Sequence, residues 1–430
     1  MRRKRRIFQE SNMQGYPLRD HIDLHHPLVE LADMVDWAAI DRVATEPFQP
    51  GPGRPILRPR LVAGLLYLQH AFNFSDEQVV ASWLENPYWQ VFTGETHLQT
   101  EPPIDPSSLP RWRQRLGEVG MEELLAQSIE AAKRANVIKP SSVQRVIVDT
   151  TVMEKAIAYP TDSALLERSR EHLVKAARQC RLHLRQNYNR EAPRLVQQIG
   201  RYAHAKQFPR MRAALRTLRS RMGRVHRDIA RQLDQVSLPQ RKALDDLLAR
   251  TGHILTQQRK DKNKLSALHA PEVECIAKGK ARTPFEFGVK VSIVTTLKEG
   301  LVVGARSMPG NPYECHTLHE ALEQVEILSK VKPLMAFVDD CGYRGVEVAG
   351  VQIWKSGQRR GVTRGLKAMI KRRSAIEPTI GHMKNDGKLG RNWLKRPLGN
   401  PMHAVLCGAR HNIRLIINKL KYCRPMGSAY

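Results

Sequence analysis

VQRVIVDTT, residues 143–151, is the stretch on which the fold turns: an apolar, β-branched run that delivers a carboxylate, Asp149, to its end. Its composition is that of a buried strand, with Val146, Ile147 and Val148 in succession and no glycine or proline among them. A second such run, LMAFVDDCGYRG at 334–345, ends in Asp339 and Asp340. A third acidic residue, Glu377, sits in the basic helical stretch RRSAIEPTIGHMK at 372–384. A strand ending in an acid holds the carboxylate at a sheet edge without burying it, so Asp149 is expected at the C-terminal end of its strand.

Working outward, the chain has helical periodicity before residue 138. Leu28, Leu31, Ala32, Val35 and Ala39 fall on one face, a helix is expected from Pro59 to Phe72, and Ser75 to Gln78 has the spacing of a capping box. The helix pair around residue 73 suits either a helix-turn-helix or a plain packing subdomain. A cap at Ser107 or Ser108 opens RWRQRL (111–116), whose arginines alternate with Trp112 and could reach phosphates or form a solvated face.

Between 163 and 270 the sequence is helical and strongly basic, with 25 Lys and Arg against 8 Asp and Glu. Met211, Leu215, Leu218, Met222, Val225, Ile229, Leu233 and Val236 follow a coiled-coil spacing. This predicts a helical hairpin whose other arm carries Leu173, Ala177, Cys180 and Leu184. Arg212, Arg216, Arg219, Arg224 and Arg227 lie off that seam and are assigned to a DNA backbone.

After 283, residues 287–296 and 300–307 read as a β-hairpin, followed by a helix from about His316 to Ser329, strands at 334–338 and 351–354, and helices from about 366 to 421. With the basic insert set aside, this is the element order of a ribonuclease H-like α/β domain. In such a sheet the first and fourth strands are neighbours, so Asp149 and Asp340 would meet despite their separation in sequence.

The expected organisation is therefore an all-α N-terminal DNA-binding domain (1–138), a ribonuclease H-like catalytic domain (141–162 and 271–421), and a helical-hairpin insertion after the first strand (163–270). The whole chain of 430 residues carries 70 Lys and Arg against 42 Asp and Glu, a net charge of +28, which favours a polyanionic partner. The apolar run at 61–72 is too short to span a bilayer, and MRRKRR at the start is not followed by an apolar segment, so a cytoplasmic, nucleoid-associated protein without membrane attachment is expected. Six cysteines without a CxxC pair suggest neither disulfides nor a zinc knuckle, and Cys407, His411 and Cys423 read as helix residues.

Three carboxylates in these contexts suit two-metal phosphoryl transfer, in which two divalent ions roughly 3.5–4 Å apart activate the nucleophile and stabilise the leaving oxygen. Mg²⁺ is the expected ion, two per site, with Mn²⁺ able to substitute, because hard cations take oxygen ligands. Asp149 is expected to bridge both ions, Asp340 to hold one and Glu377 the other. Asp339 is the alternative for the second position, since adjacent side chains of a strand face opposite ways. Pro378 biases Glu377 out of helical geometry, so either the helix is kinked there or it begins at Pro378 with Glu377 as its cap. Lys388, Arg391, Lys395 and Arg396, with His382 and Trp393, extend the basic surface in a form compatible with phosphate contact and base stacking.

DTT at 149–151, DCGYRG at 340–345 and Arg373-x3-Glu377-x6-Lys384 resemble the DDE motifs of bacterial insertion-sequence transposases, and the context, including PGNPYECHTL at 309–318 and the region 27–117, resembles insertion sequence family 5. Ile370 stands where the related family-4 group carries a tyrosine. The resemblance implies catalytic Asp149, Asp340 and Glu377, with Arg373, Lys384, Tyr343 and Arg344 at the DNA. It further implies binding of terminal inverted repeats, cleavage that frees 3′-hydroxyls, their joining to target DNA, and a homodimer or larger synaptic assembly on double-stranded DNA. A ribonuclease H-like nuclease without strand transfer, or a decayed DNA-binding copy, are the alternatives.

Overall fold

The computed structural model describes residues 17–46, 57–258, 260–277, 283–339, 342–343 and 345–422. A mixed sheet draws its strands from residues 145–154 and 274–355. β1 (Arg145–Glu154) lies between β3 (Phe285–Thr296), antiparallel, and β5 (Met335–Val338), parallel, and β6 (Gln352–Lys355) continues parallel beyond β5. On the edge of β3 away from β1, β2 (Glu274–Ala277) pairs with residues 285–288 and β4 (Val302–Met308) with 290–295, both antiparallel. Val146, Ile147 and Val148 are buried, each contributing about 1.5–3 kcal/mol relative to exposure.

β1 does not end at Asp149. It runs five residues further, because Thr150, Thr151 and Val152 are β-branched and keep pairing with Lys290–Ser292 of β3. Its parallel partner stops sooner: the last β1–β5 pair is Ile147↔Phe337. Asp149 thus stands beside a notch where β5 has ended, at a sheet edge in the middle of its strand. β2 went unforeseen, since ECIA is short and not markedly apolar.

The N-terminal helices are α1 (Pro27–Met34), α2 (Trp37–Thr45), α3 (Pro59–Ala71), α4 (Asp76–Glu85), α5 (Pro87–Phe92) and α6 (Ser108–Arg134). The single face expected across 28–39 is split, because Val35 is extended and the Asp36 side chain caps α2 through the Ala39 amide. Ser75 and Gln78 form the expected capping box. Nearly all of α3 is buried, and α4 carries Asp76, Glu77 and Glu85 but no cation, so the pair around residue 73 packs and presents no basic helix to a groove. Trp112 is buried, and Arg113 is drawn inward onto Asp76 (2.5 and 2.9 Å), which leaves Arg111 and Arg115 as the exposed arginines of that segment.

Among its described residues the insertion has four α-helices, where a hairpin was expected: α7 (Asp162–Gln179), α8 (Glu191–His204), α9 (Phe208–Ala230) and α10 (Leu238–Thr256). α7 stops before Leu184, at a turn where Arg181 has φ 56°. Pro193, Pro209 and Pro239 each sit in a first helical turn, where a missing amide costs no intrahelical bond. α9 carries the predicted seam from Met211 to Ile229, with Leu218, Met222, Val225 and Ile229 buried in a core of the insertion's own, where α7, α8 and α10 meet it. The helix ends at Ala230, so Leu233 and Val236 lie beyond it, in a 3-10 turn and an extended residue.

The remaining helices are α11 (Glu314–Ser329), α12 (Arg364–Arg372), α13 (Ile376–Asn385) and α14 (Gly399–Tyr422). α11 packs on β3 and β4, and α14 on β4, α3 and α6. One continuous hydrophobic core therefore joins the N-terminal helices to the sheet. No helix among the described residues is long and apolar enough to cross a membrane.

Candidate active site

Sheet register brings the first two acidic segments together. Continuing the pairing two residues beyond Ile147↔Phe337 sets Asp149 level with Asp339 and, by alternation, on the same face. Asp149 lies largely within the protein, its side chain 18% exposed, and accepts the Thr150 amide on Oδ1 (2.8 Å) and the Arg373 guanidinium on Oδ2 (2.9 Å). Burial pushes its carboxyl above the ordinary range, with Glu314 and Asp339 adding to the effect; Arg373 and the Thr150 amide oppose it without cancelling it. Asp339 accepts from the Ser356 hydroxyl (2.8 Å). Asp340 and Arg344 lie outside the described residues.

Arg373 is the hub. It occupies a 3-10 turn (Arg373–Ala375) between α12 and α13, 13% exposed, and besides Asp149 it reaches Glu377 Oε1 at 3.4 Å and Asp339 Oδ1 at 3.6 Å. One guanidinium thus gathers three carboxylates from three distant segments. Glu377 falls in the first turn of α13, just after the 3-10 turn gives way to the helix. Neither a kink at Pro378 nor a cap at Glu377 is needed: the helix starts at Ile376, and Pro378 lies where the amides have no intrahelical acceptor.

Glu314, at the start of α11, adds a fourth carboxylate to which the sequence alone assigns no role. Its Oε1 accepts from the Thr150 hydroxyl (2.6 Å), beside Asp149. Gly342 approaches Glu314 so closely that any side chain at 342 would collide with its carboxylate. The signal was available in PGNPYECHTL, but an acid opening a helix is ordinarily a capping or dipole device.

Tyr343, expected at the DNA, is fully buried and has no surface to offer a strand; burial, Glu314 and Asp149 all push its hydroxyl well above the ordinary range. An aromatic ring set in the core after β5 is more favourable than one in water, which is why the position turns inward. Lys384 lies half-buried on α13, two turns past Glu377. Arg216 and Arg224 are exposed on α9 while Arg219 is half-buried, and Arg224 donates to the Tyr188 hydroxyl (3.3 Å).

The donors at this site are all oxygens, which suits a hard divalent cation, and Asp149 is a carboxylate whose burial outweighs its compensation. Among the described residues no three His, Cys, Asp or Glu stand close enough to hold a metal, and Arg373 pairs with Asp149, Asp339 and Glu377 instead. An ion would have to share or displace that guanidinium. On α14 Cys407 is buried and His411 half-buried, the thiol pushed up to about 12 and the imidazole down to about 4 by desolvation, and His411 bonds the Gly300 carbonyl (3.1 Å).

Residues 16–115 match a family model described as a transposase domain (DUF772). The chain is also 46% identical over 194 residues to an uncharacterised protein, ORF8 in the nfe locus of Rhizobium meliloti, spanning 44% of this chain and 93% of that protein. The chain belongs to the same family as ORF8. It is transposase-like, with the matched domain formed by α1–α5 and the start of α6. No solved structure matches it.

Proposed function

We propose that the chain is a DNA transposase of the DDE type whose ribonuclease H-like sheet carries the chemistry. The observation that supports this most strongly is the gathering of Asp149, Asp339 and Glu377, from the middle of β1, the end of the adjacent β5 and a helix start, around one largely enclosed cation, Arg373. Strand order supports it as well: β1, β2 and β4 pair antiparallel with β3, and β5 and β6 follow as parallel strands, with β1 and β5 side by side.

In this reading Asp149 and Glu377, with the Asp339–Asp340 pair, would hold Mg²⁺ or Mn²⁺, and the ions when bound would activate water or a 3′-hydroxyl and neutralise charge at phosphorus. The chain's own residues supply the rest. Thr150 fixes the Asp149 carboxylate through its amide, while Glu314 holds the Thr150 hydroxyl. Arg373, released from the carboxylates, becomes a fork for a phosphate. Lys384 continues the cationic track along α13, and the exposed arginines of α9 offer a second contact to DNA beyond the site. The net charge of +28 suits a partner of this kind.

The test uses DNA carrying the sequences that flank the gene. Wild-type protein with Mg²⁺ is expected to cut at the element's ends and join them to a second DNA. Asp149→Ala and Glu377→Ala are expected to bind the same DNA without cutting it. Undiminished cleavage by both variants would overturn the site, and cleavage without joining would favour a nuclease.

A further inference from the structure

A cleft of about 840 Å³ opens between the turn leading into α4 and the start of α6 on one side and residues 384–403 on the other. It begins at Lys384, seven residues past Glu377 on the same helix, which at about 1.5 Å per residue is roughly 10 Å along the axis. Trp393 lines it with 65% of its surface exposed, and the Arg391 guanidinium sits 4.5 Å from the ring centroid. An exposed indole beside cationic side chains is the kind of platform on which a base can stack, and its π-face accepts any base.

Charge in the cleft is one-sided. Lys388 is held at the floor by donation to the Phe74 carbonyl (2.5 Å), and Lys384, Arg391 and Lys395 line the rim. On the opposing wall Asp76 is already neutralised by Arg113, leaving Glu77 as the acid without that compensation. A duplex is too wide for this space, whereas one nucleotide has both the π-face and the phosphate that the walls match.

We infer that this cleft binds an unpaired nucleotide of a DNA strand, its base stacked on Trp393 and its phosphates among Lys384, Lys388 and Lys395. The inference rests on the transposase reading, since it places a frayed or released strand about three nucleotide steps of ~3.4 Å from Glu377. Arg391 backs the tryptophan, and the cleft separates a cut strand from its complement.

Full-length protein is titrated with a fluorescein-labelled blunt duplex and with the same duplex bearing a three-nucleotide single-stranded extension, at one fixed salt concentration, for wild type, Trp393→Ala and Trp393→Phe. The extension is expected to tighten wild-type binding about tenfold, the scale of one base–aromatic stack. Trp393→Ala should erase that gain, Trp393→Phe should keep most of it, and blunt-duplex affinity should be the same in all three. No gain from the extension in wild type, a gain retained in Trp393→Ala, or an equal loss on both probes would overturn the cleft assignment alone. Failure of wild type to bind either probe would overturn the transposase reading with it.

Discussion

Arg373→Gln removes the one guanidinium that three carboxylates share. Its pairing with Asp149, at 2.9 Å between side chains 13% and 18% exposed, is largely desolvated. Deleting one partner of a buried pair strands the other, at a cost of about 3–5 kcal/mol when burial is complete; the residual exposure here brings the figure to about 3 kcal/mol. The interactions with Asp339 and Glu377 are longer and involve carboxylates 39% and 64% exposed, so they add little. Spread over 430 residues at about 2.1 cal/mol/K each, a destabilisation of that size lowers Tm by roughly 3 °C if the chain melts as one unit. The assay is thermal unfolding in EDTA and in Mg²⁺. An ion taking the vacated place would return about 1.4 kcal/mol when supplied at ten times its Kd, while wild type, whose guanidinium already occupies that place, should gain less. A destabilisation below about 1 kcal/mol in EDTA, set against the roughly 3 kcal/mol expected of a stranded buried carboxylate, or one indifferent to Mg²⁺, would refute the reasoning.

Gly342→Ala should push the Glu314 carboxylate off the Thr150 hydroxyl and cost about 1–3 kcal/mol, read as a lowered urea midpoint, because the added methyl has nowhere to go; an unchanged midpoint would show that α11 yields freely. Asp149→Asn removes a carboxylate whose folded-state pKa is raised, so wild-type stability is fullest below the unfolded pKa and falls as pH rises through the folded one. The urea midpoint of the Asp149→Asn variant relative to wild type should therefore improve as pH rises from acid to neutral, and a pH-independent difference would contradict this. Replacing Arg216, Arg219 and Arg224 together with Gln should flatten the dependence of log Kd on log salt by roughly 0.9 for each phosphate that is no longer neutralised, and an unaltered slope would return those arginines to a solvated face.

Much of this architecture was legible because local chemistry and global placement agree. The apolar runs before Asp149 and Asp339, the Ser75 capping box and the α9 seam each specify their element within a few residues. What escaped depends on partners far away in sequence. β1 extends past Asp149 because β3 is long enough to pair with its β-branched Thr150, Thr151 and Val152, and Arg113 is drawn inward by Asp76. The insertion's division into four helices was written in Pro193, Pro209 and Pro239, which mark first turns, but the heptad spacing favours a single long hairpin when read alone. At the site, Asp149, Asp339, Glu377 and Arg373 could all be named from sequence, but the resemblance assigns Arg373 to DNA; that it gathers the carboxylates could not be read, since an arginine four residues before a glutamate is a commonplace helix pair. Glu314 and the burial of Tyr343 likewise follow from how α11 closes on the end of β5.

In the proposed site the segments around 149, 339 and 377 together hold the divalent ions. Fe²⁺ substituted for Mg²⁺, with ascorbate and peroxide, generates radicals that cut the polypeptide beside the bound ion, so the fragments report its neighbours directly. Cuts clustered near Asp149, Asp339 and Glu377, suppressed by excess Mg²⁺ and abolished in Asp149→Ala, are the predicted result. Cutting confined to other segments, or persisting unchanged in Asp149→Ala, would contradict it.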